Sequence, residues 1–93
     1  MEEFFSSPLV VFIHPHHDIE IESLSEDPPE NLIKILTQDG HRFTYHLTGC
    51  LDETAIAFLR RMIDGGVTSD LVISRTESSF RAEEAPRPLP RHG

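Results

Sequence analysis

The feature that most constrains the fold is a hairpin signal between residues 31 and 47. Two strand-like runs, 31–37 and 41–47, are separated by Gln38-Asp39-Gly40. An Asp-Gly pair between two such runs is typical of a tight turn that joins antiparallel strands. The chain is therefore expected to contain a β-hairpin whose register depends on the length of this loop.

The two loop lengths place different side chains on the same face of the hairpin. A two-residue turn pairs Leu36 with Phe43. A three-residue loop, with Gly40 in the left-handed conformation, pairs Ile35 with Phe43 instead. The longer loop gathers the apolar side chains on one face, namely Ile33, Ile35, Phe43, Tyr45 and Leu47. The other face then holds Leu32, Lys34, Leu36, Arg42, Thr44 and His46. Because this segregation is cleaner, we predict the three-residue loop.

Patterns before the hairpin predict two more strands and a loop. The continuous apolar run at 8–13 predicts a buried strand, and the strict alternation at 18–22 predicts a strand with one charged face. Residues 23–30 are predicted to form a polar loop, because Pro28 and Pro29 cannot donate hydrogen bonds to a ladder.

Patterns after the hairpin complete the predicted fold. Residues 53–64 have the apolar spacing of an amphipathic helix, with Asp52 placed to cap its start, and 70–74 predict a short strand. The order is β-β-β-β-α-β, an α+β fold with one amphipathic helix packed on one face of a mainly antiparallel sheet of about five strands. Residues 1–76 are predicted to form this single compact domain. Residues 77–93 are predicted to be a disordered C-terminal tail.

The acidic residues are concentrated in the first third of the chain. Residues 1–30 contain eight carboxylates and no Lys or Arg, whereas the rest balances eight acids with eight bases, so the net charge is -8. Such a surface attracts basic partners and repels nucleic acids and anionic membranes. The sequence predicts a small non-enzymatic adaptor, regulator or inhibitor that binds a basic surface of a partner protein. The predicted contact residues are Asp18, Glu20, Glu22, Glu26, Asp27 and Glu30.

A histidine cluster at residues 14–18, His-Pro-His-His-Asp, supports a different hypothesis. Imidazole suits zinc or a similar transition metal, with His14 and His16 as the first pair of ligands and His46 or Asp18 completing the shell. In outline the cluster is similar to the His-x-His-x-Asp-His motif of metallo-β-lactamase-like hydrolases, with Ile19 in place of the last His. That resemblance implies a metal-binding protein or a small metal-dependent enzyme. The competing interpretation is a surface turn rich in His, for which no cofactor is expected.

Cysteine content and hydropathy indicate an expected location. The single Cys50 cannot form an internal disulfide, which fits a reducing compartment, and no apolar run approaches the roughly 18 residues of a membrane span. The chain is therefore expected to be cytoplasmic. A homodimer is a further hypothesis, because Leu32 and Leu36 lie on the polar face of the predicted hairpin. A second subunit would cover them together with Val10 or Ile13.

Overall fold

A computed structural model describes residues 8–76 and 79–85. Within these residues the elements follow the order α1 (Pro8–Ile13), β1 (Asp18–Glu26), β2 (Pro29–Leu36), β3 (Arg42–Thr48), α2 (Glu53–Asp64), β4 (Leu71–Arg75) and β5 (Phe80–Glu84). The strands lie side by side in that same order in one sheet. All neighbours are antiparallel except β3 and β4, which are parallel. The predicted α+β class with a mainly antiparallel five-stranded sheet is confirmed.

The central hairpin, β2 and β3, has the predicted register. Ile35 lies opposite Phe43, as the three-residue loop requires. Gly40 has a φ of 89°, in the left-handed region that favours glycine. The loop is closed by the N–H of Thr37, which donates to the carbonyl of His41 at 2.9 Å. Turn chemistry and strand alternation together therefore determined this register.

Both helices cover the same side of the sheet and enclose one hydrophobic core. The core residues are Ile13, Ile33, Ile35, Phe43, Tyr45, Leu47, Ala55, Ile56, Leu59, Ile63, Leu71 and Ile73. The connection between the parallel strands β3 and β4 is α2, which has the length that such a crossover needs. Its start is capped as predicted, because the Asp52 side chain accepts a hydrogen bond from the Ala55 N–H at 3.1 Å. The other face of the sheet, called the open face below, is covered by neither helix.

The run at residues 8–13 forms α1, so the predicted strand was wrong. Ile13 is fully buried, whereas Val11 and Phe12 are 48% and 57% exposed, which is the one-sided burial of a surface helix. Pro8 suits the first helical position, because its missing N–H would have no intrahelical partner there. A short apolar run does not distinguish strand from helix by its periodicity alone. Neither α1 nor α2 is long and apolar enough to cross a membrane.

The segment 23–30 is mostly strand, which corrects the predicted loop. β1 continues to Glu26, and Asp27 and Pro28, joined by a cis peptide bond, form a two-residue turn to Pro29 at the start of β2. Proline is tolerated in turns and at the first residue of a strand, where the rest of the ladder stays intact. The two prolines therefore form the hairpin connection and do not end the sheet.

Part of the predicted disordered tail is also a strand. β5 pairs with β4, and the Phe80 ring stacks on Phe58 of α2 with centroids 4.6 Å apart. This contact gives a polar segment an apolar anchor on the core side of the sheet. Residues 77–78 and 86–93 lie outside the described residues. The predicted element order therefore changes at both ends, with a helix in place of the first strand and an added last strand.

Candidate functional site

The centre of the open face is a row of side chains that crosses every strand of the sheet. From one edge to the other, the row consists of Glu22, Leu32, His46, Val72 and Glu83. Alternate residues of a strand point to the same face, so these five lie side by side. The row has a carboxylate at each edge and an imidazole between two apolar side chains at its centre.

Leu32 is only 8% exposed, although it lies on the face that α1 and α2 leave uncovered. Its neighbours on this face are Glu22 and His46 across the ladder, and Glu30 and Lys34 along β2. These four form two diagonal pairs. Lys34 Nζ lies 3.2 Å from Glu22 Oε1, and His46 Nε2 lies 3.4 Å from Glu30 Oε1. The two pairs bracket Leu32, and Ile13 is fully buried in the core, so neither residue is available to the dimer patch predicted from Leu32 and Leu36 with Val10 or Ile13.

The predicted contact residues lie along one edge of the open face and at the turn beside it. We call them the acidic edge; they are Asp18, Glu20, Glu22, Glu26, Asp27 and Glu30. Glu22 and Glu30 have the partners described above. The other four are exposed and form no ion pair with any residue in the described ranges. The structure thus spreads the acidic edge along the length of β1, from Asp18 at its start to Asp27 in the turn after its end, and leaves four of the six free to meet an external cation.

The histidine cluster lies where α1, β1 and α2 meet, on the helical side of the sheet. The His14 ring stacks on His17 with centroids 3.9 Å apart and meets His16 edge-on at 5.9 Å. His14 Nδ1 accepts a hydrogen bond from the His16 N–H at 3.2 Å, so the proton of the neutral ring is on Nε2, 3.6 Å from Asp64 Oδ1. Burial lowers the pKa of His14, and His17 lowers it further. The packing therefore favours a neutral His14.

The three predicted metal ligands do not come together. His14 and His16 are in ring contact, but His46 is paired with Glu30 on the open face. Among residues 8–76 and 79–85, no group of three or more His, Cys, Asp or Glu side chains is placed to hold a metal ion. His14, His16 and Asp18, which match the hydrolase motif in sequence, are therefore not placed as a metal site either.

A groove between α1 and α2 was missed by the sequence reading. Its volume is about 550 Å³, and its lining residues are Phe12, Glu53, Ile56, Ala57, Arg60, Arg61 and Asp64. The groove depends on α1 being a helix, and residues 8–13 were read as a strand. Pro8 at the first position of the apolar run was the one local signal for a helix.

Comparisons with known proteins give no guidance on this arrangement. No family model matches the chain, and no curated protein or solved structure matches it.

We expect the histidine cluster to make the protein less stable in mild acid. The folded chain holds the His14 pKa below its ordinary value of 6.5. The stabilising contribution of neutral His14 is therefore complete above that value and is lost as the pH falls towards the folded-state pKa. Urea denaturation at about pH 7.5 and about pH 5 measures this loss.

The loss should be smaller in His14→Phe, which keeps an aromatic ring but cannot titrate. The loss of stability should be larger in Asp64→Asn. Asp64 raises the His14 pKa, whereas burial, His17, His16 and Arg60 lower it, so removing the Asp64 charge should lower this pKa further. Equal losses in the wild type and His14→Phe would contradict this assignment.

Proposed function

We propose that the chain is a small non-enzymatic interaction module that binds a basic surface of a partner protein through the acidic edge. The observation that carries this proposal is the set of four exposed carboxylates without an ion pair in the described chain: Asp18, Glu20, Glu26 and Asp27. Exposed charges of one sign on a rigid strand and its adjoining turn are a suitable contact for Lys and Arg side chains.

The position of β1 in the sheet supports this proposal. β1 is an edge strand of nine residues, and its acidic side chains alternate with Ile19 and Ile21, which pack against the core. Side chains at alternate positions lie roughly 7 Å apart on one face, so Asp18, Glu20 and Glu22 form a regular line of charge. Charges on an edge strand also discourage pairing with a strand of another chain. The proposed contact is therefore made through side chains and not by extension of the sheet.

Lys34, the cation beside β1, leaves most of the negative charge of the acidic edge available. Lys34 Nζ forms an ion pair with Glu22 Oε1 at 3.2 Å, and both side chains are about half exposed (44% and 52%). Asp18 and Glu20 lie on the same strand without such a partner. Their field acts over about 8–10 Å at physiological ionic strength, so it steers a basic partner before contact. The interaction should accordingly form quickly and weaken with added salt.

The double substitution Asp18→Lys with Glu20→Lys should raise the Kd for the partner by roughly tenfold or more, because two attractive charges become repulsive. These two residues are chosen because their reversal breaks no internal ion pair. The control is Glu83→Lys with Glu84→Lys, which makes the same change in net charge on β5, at the opposite edge of the sheet, and breaks only the exposed Arg81–Glu83 pair.

The partner is first captured from an extract of the native host on immobilised chain and purified. Its Kd is then measured by titration calorimetry at low and high salt. Binding that is insensitive to salt, or that the β5 control weakens as much as the β1 double substitution, would show that the acidic edge is not the contact.

A further inference from the structure

The surface of α1 and its groove is apolar and uncovered in the single chain. Leu9, Val11 and Phe12 are 38%, 48% and 57% exposed, and apart from Leu24 they are the exposed large apolar side chains of the described residues. Phe12 also lines the groove, together with Ile56 and Ala57 of α2. Exposed apolar side chains beside a groove with charged residues at its margin are typical of a protein contact site.

The charges along this groove have a symmetric arrangement. Glu53, Ala57 and Arg61 are spaced four residues apart, so they form one ridge of α2, with Ala57 midway between the charges. Neither Glu53 nor Arg61 forms an ion pair with a described residue. The other two charges of the groove are already engaged, because Arg60 Nε lies 3.9 Å from Asp64 Oδ2. This ridge thus carries the unpaired carboxylate of Glu53, the small side chain of Ala57 and the unpaired guanidinium of Arg61.

We propose that a second copy of this chain occupies the groove, with the two α2 helices crossing antiparallel at Ala57. A two-fold axis at Ala57 places each Glu53 next to Arg61 of the other copy, and each Arg61 next to the other Glu53. Packing of i, i+4 ridges against each other is the commonest class of helix contact, with the axes crossing at about 50°. The exposed Ala57 lets the two backbones approach closely at the crossing point.

The charge pattern favours a second copy over another occupant. A segment of a single sign would match Glu53 or Arg61 and oppose the other, whereas the antiparallel copy matches both at once. The contact is isologous, so the exposed Phe12 of each copy packs against the groove side of the other. The open face lies on the other side of the sheet, so both acidic edges stay accessible in the dimer. This inference does not rest on the proposed partner binding.

Sedimentation equilibrium of the full chain tests the dimer. We expect a monomer–dimer equilibrium whose Kd rises about tenfold or more in Arg61→Glu or Glu53→Arg, because each reversal creates two repulsive contacts across the axis. The double variant Glu53→Arg with Arg61→Glu restores complementary pairs and should recover the wild-type Kd. Arg42→Glu, a charge reversal on the open face, is the control and should leave the Kd unchanged. Circular dichroism melting of each variant shows that it is folded.

A disulfide provides a second readout that does not depend on charge. In a Cys50→Ser background, Ala57→Cys lies on the two-fold axis and should oxidise to a covalent dimer, because Cα atoms closer than about 7 Å can be bridged. Lys34→Cys on the open face should stay monomeric under the same conditions. The proposal is overturned if the wild type is monomeric up to roughly 1 mM, if the double reversal does not recover association, or if Ala57→Cys does not cross-link.

Discussion

Tyr45→Ala should lower the free energy of unfolding by about 3–5 kcal/mol, the usual cost of removing a large buried aromatic side chain. Tyr45 is fully buried at the centre of β3, where it pairs with Ile33 of β2 and Leu71 of β4. Its ring lies 5.2 Å from that of Phe43, and its hydroxyl donates to the Val67 carbonyl at 2.6 Å. A loss of this size is a large share of the roughly 5–15 kcal/mol that stabilises a typical domain.

Tyr45→Phe separates the hydroxyl from the ring. It keeps the packing and removes one hydrogen bond, so it should cost about 0.5–1.5 kcal/mol. Burial raises the pKa of the Tyr45 hydroxyl, so the group stays a donor well into the alkaline range. Urea denaturation followed by circular dichroism measures both variants. A Tyr45→Ala cost no larger than that of Tyr45→Phe would mean that the ring is not a structural centre of the core.

The parts of the fold that were predicted correctly are those with local signals. The β2–β3 register depends on Asp39-Gly40 and on alternation within a few residues of it. α2 has a cap at Asp52, an apolar stripe and a glycine at its end, which all agree. In both elements several independent local preferences favour the same structure, and such agreement is what makes a prediction from sequence reliable.

The parts that were missed depend on contacts between distant residues. α1 is a helix because Ile13 is buried against a core that residues far along the chain supply. β5 is a strand because β4 offers an edge and because Phe80 meets Phe58, 22 positions earlier in the sequence. Neither contact leaves a trace in the local pattern, and apart from Pro8 at its start the apolar run 8–13 fits a helix and a strand equally well.

The candidate site also has one part that local signals predict and one part that they do not. The line of Asp18, Glu20 and Glu22 was predictable, because period-two alternation alone places them on one face. The pairing of Glu30 with His46 was not, because Glu30 was placed in a predicted loop and because the pairing depends on the side-chain conformations of both residues. The same pairing directs the imidazole of His46 to a carboxylate on the open face, away from the histidine cluster.

The two proposed contacts use opposite sides of one sheet. In these proposals the groove side, lined by Ala57 and Phe12, would associate two copies, and the acidic edge of β1 would receive the partner. A dimer would present two acidic edges to a partner that carries repeated basic sites. Linked binding of this kind raises overall avidity without any new contact. Arg61→Glu should therefore weaken binding to an immobilised multivalent partner more than binding to the same partner free in solution.

Gly49→Ala should destabilise the chain by about 2–4 kcal/mol, through backbone strain and a steric clash together. Gly49 has a φ of 117°, which L residues rarely adopt, and a Cβ there would lie 2.8 Å from the Cβ of Arg75. Arg75 cannot move freely, because its Nη1 donates to the Cys50 carbonyl at 2.8 Å and to Asp52 Oδ1 at 2.7 Å. The Arg75 hydrogen bond lowers the pKa of Asp52 to about 2. A shift of Arg75 would therefore disturb the residue that caps α2.

Gly40→Ala is the matched control for the effect of backbone conformation. Gly40 also has a positive φ, 89°, but nothing lies within 4 Å of a Cβ at that position. Its substitution should cost only the strain of the left-handed conformation, about 1–2 kcal/mol. Urea denaturation gives the free energy of unfolding of both variants. The difference between the two values is the cost of the clash with Arg75. Adding Arg75→Gly, which removes the Cβ of Arg75, to Gly49→Ala should remove that part, so the double variant should lose less than the sum of the single substitutions. If Gly49→Ala costs no more than Gly40→Ala, contact between a Cβ at residue 49 and Arg75 adds nothing to the backbone strain.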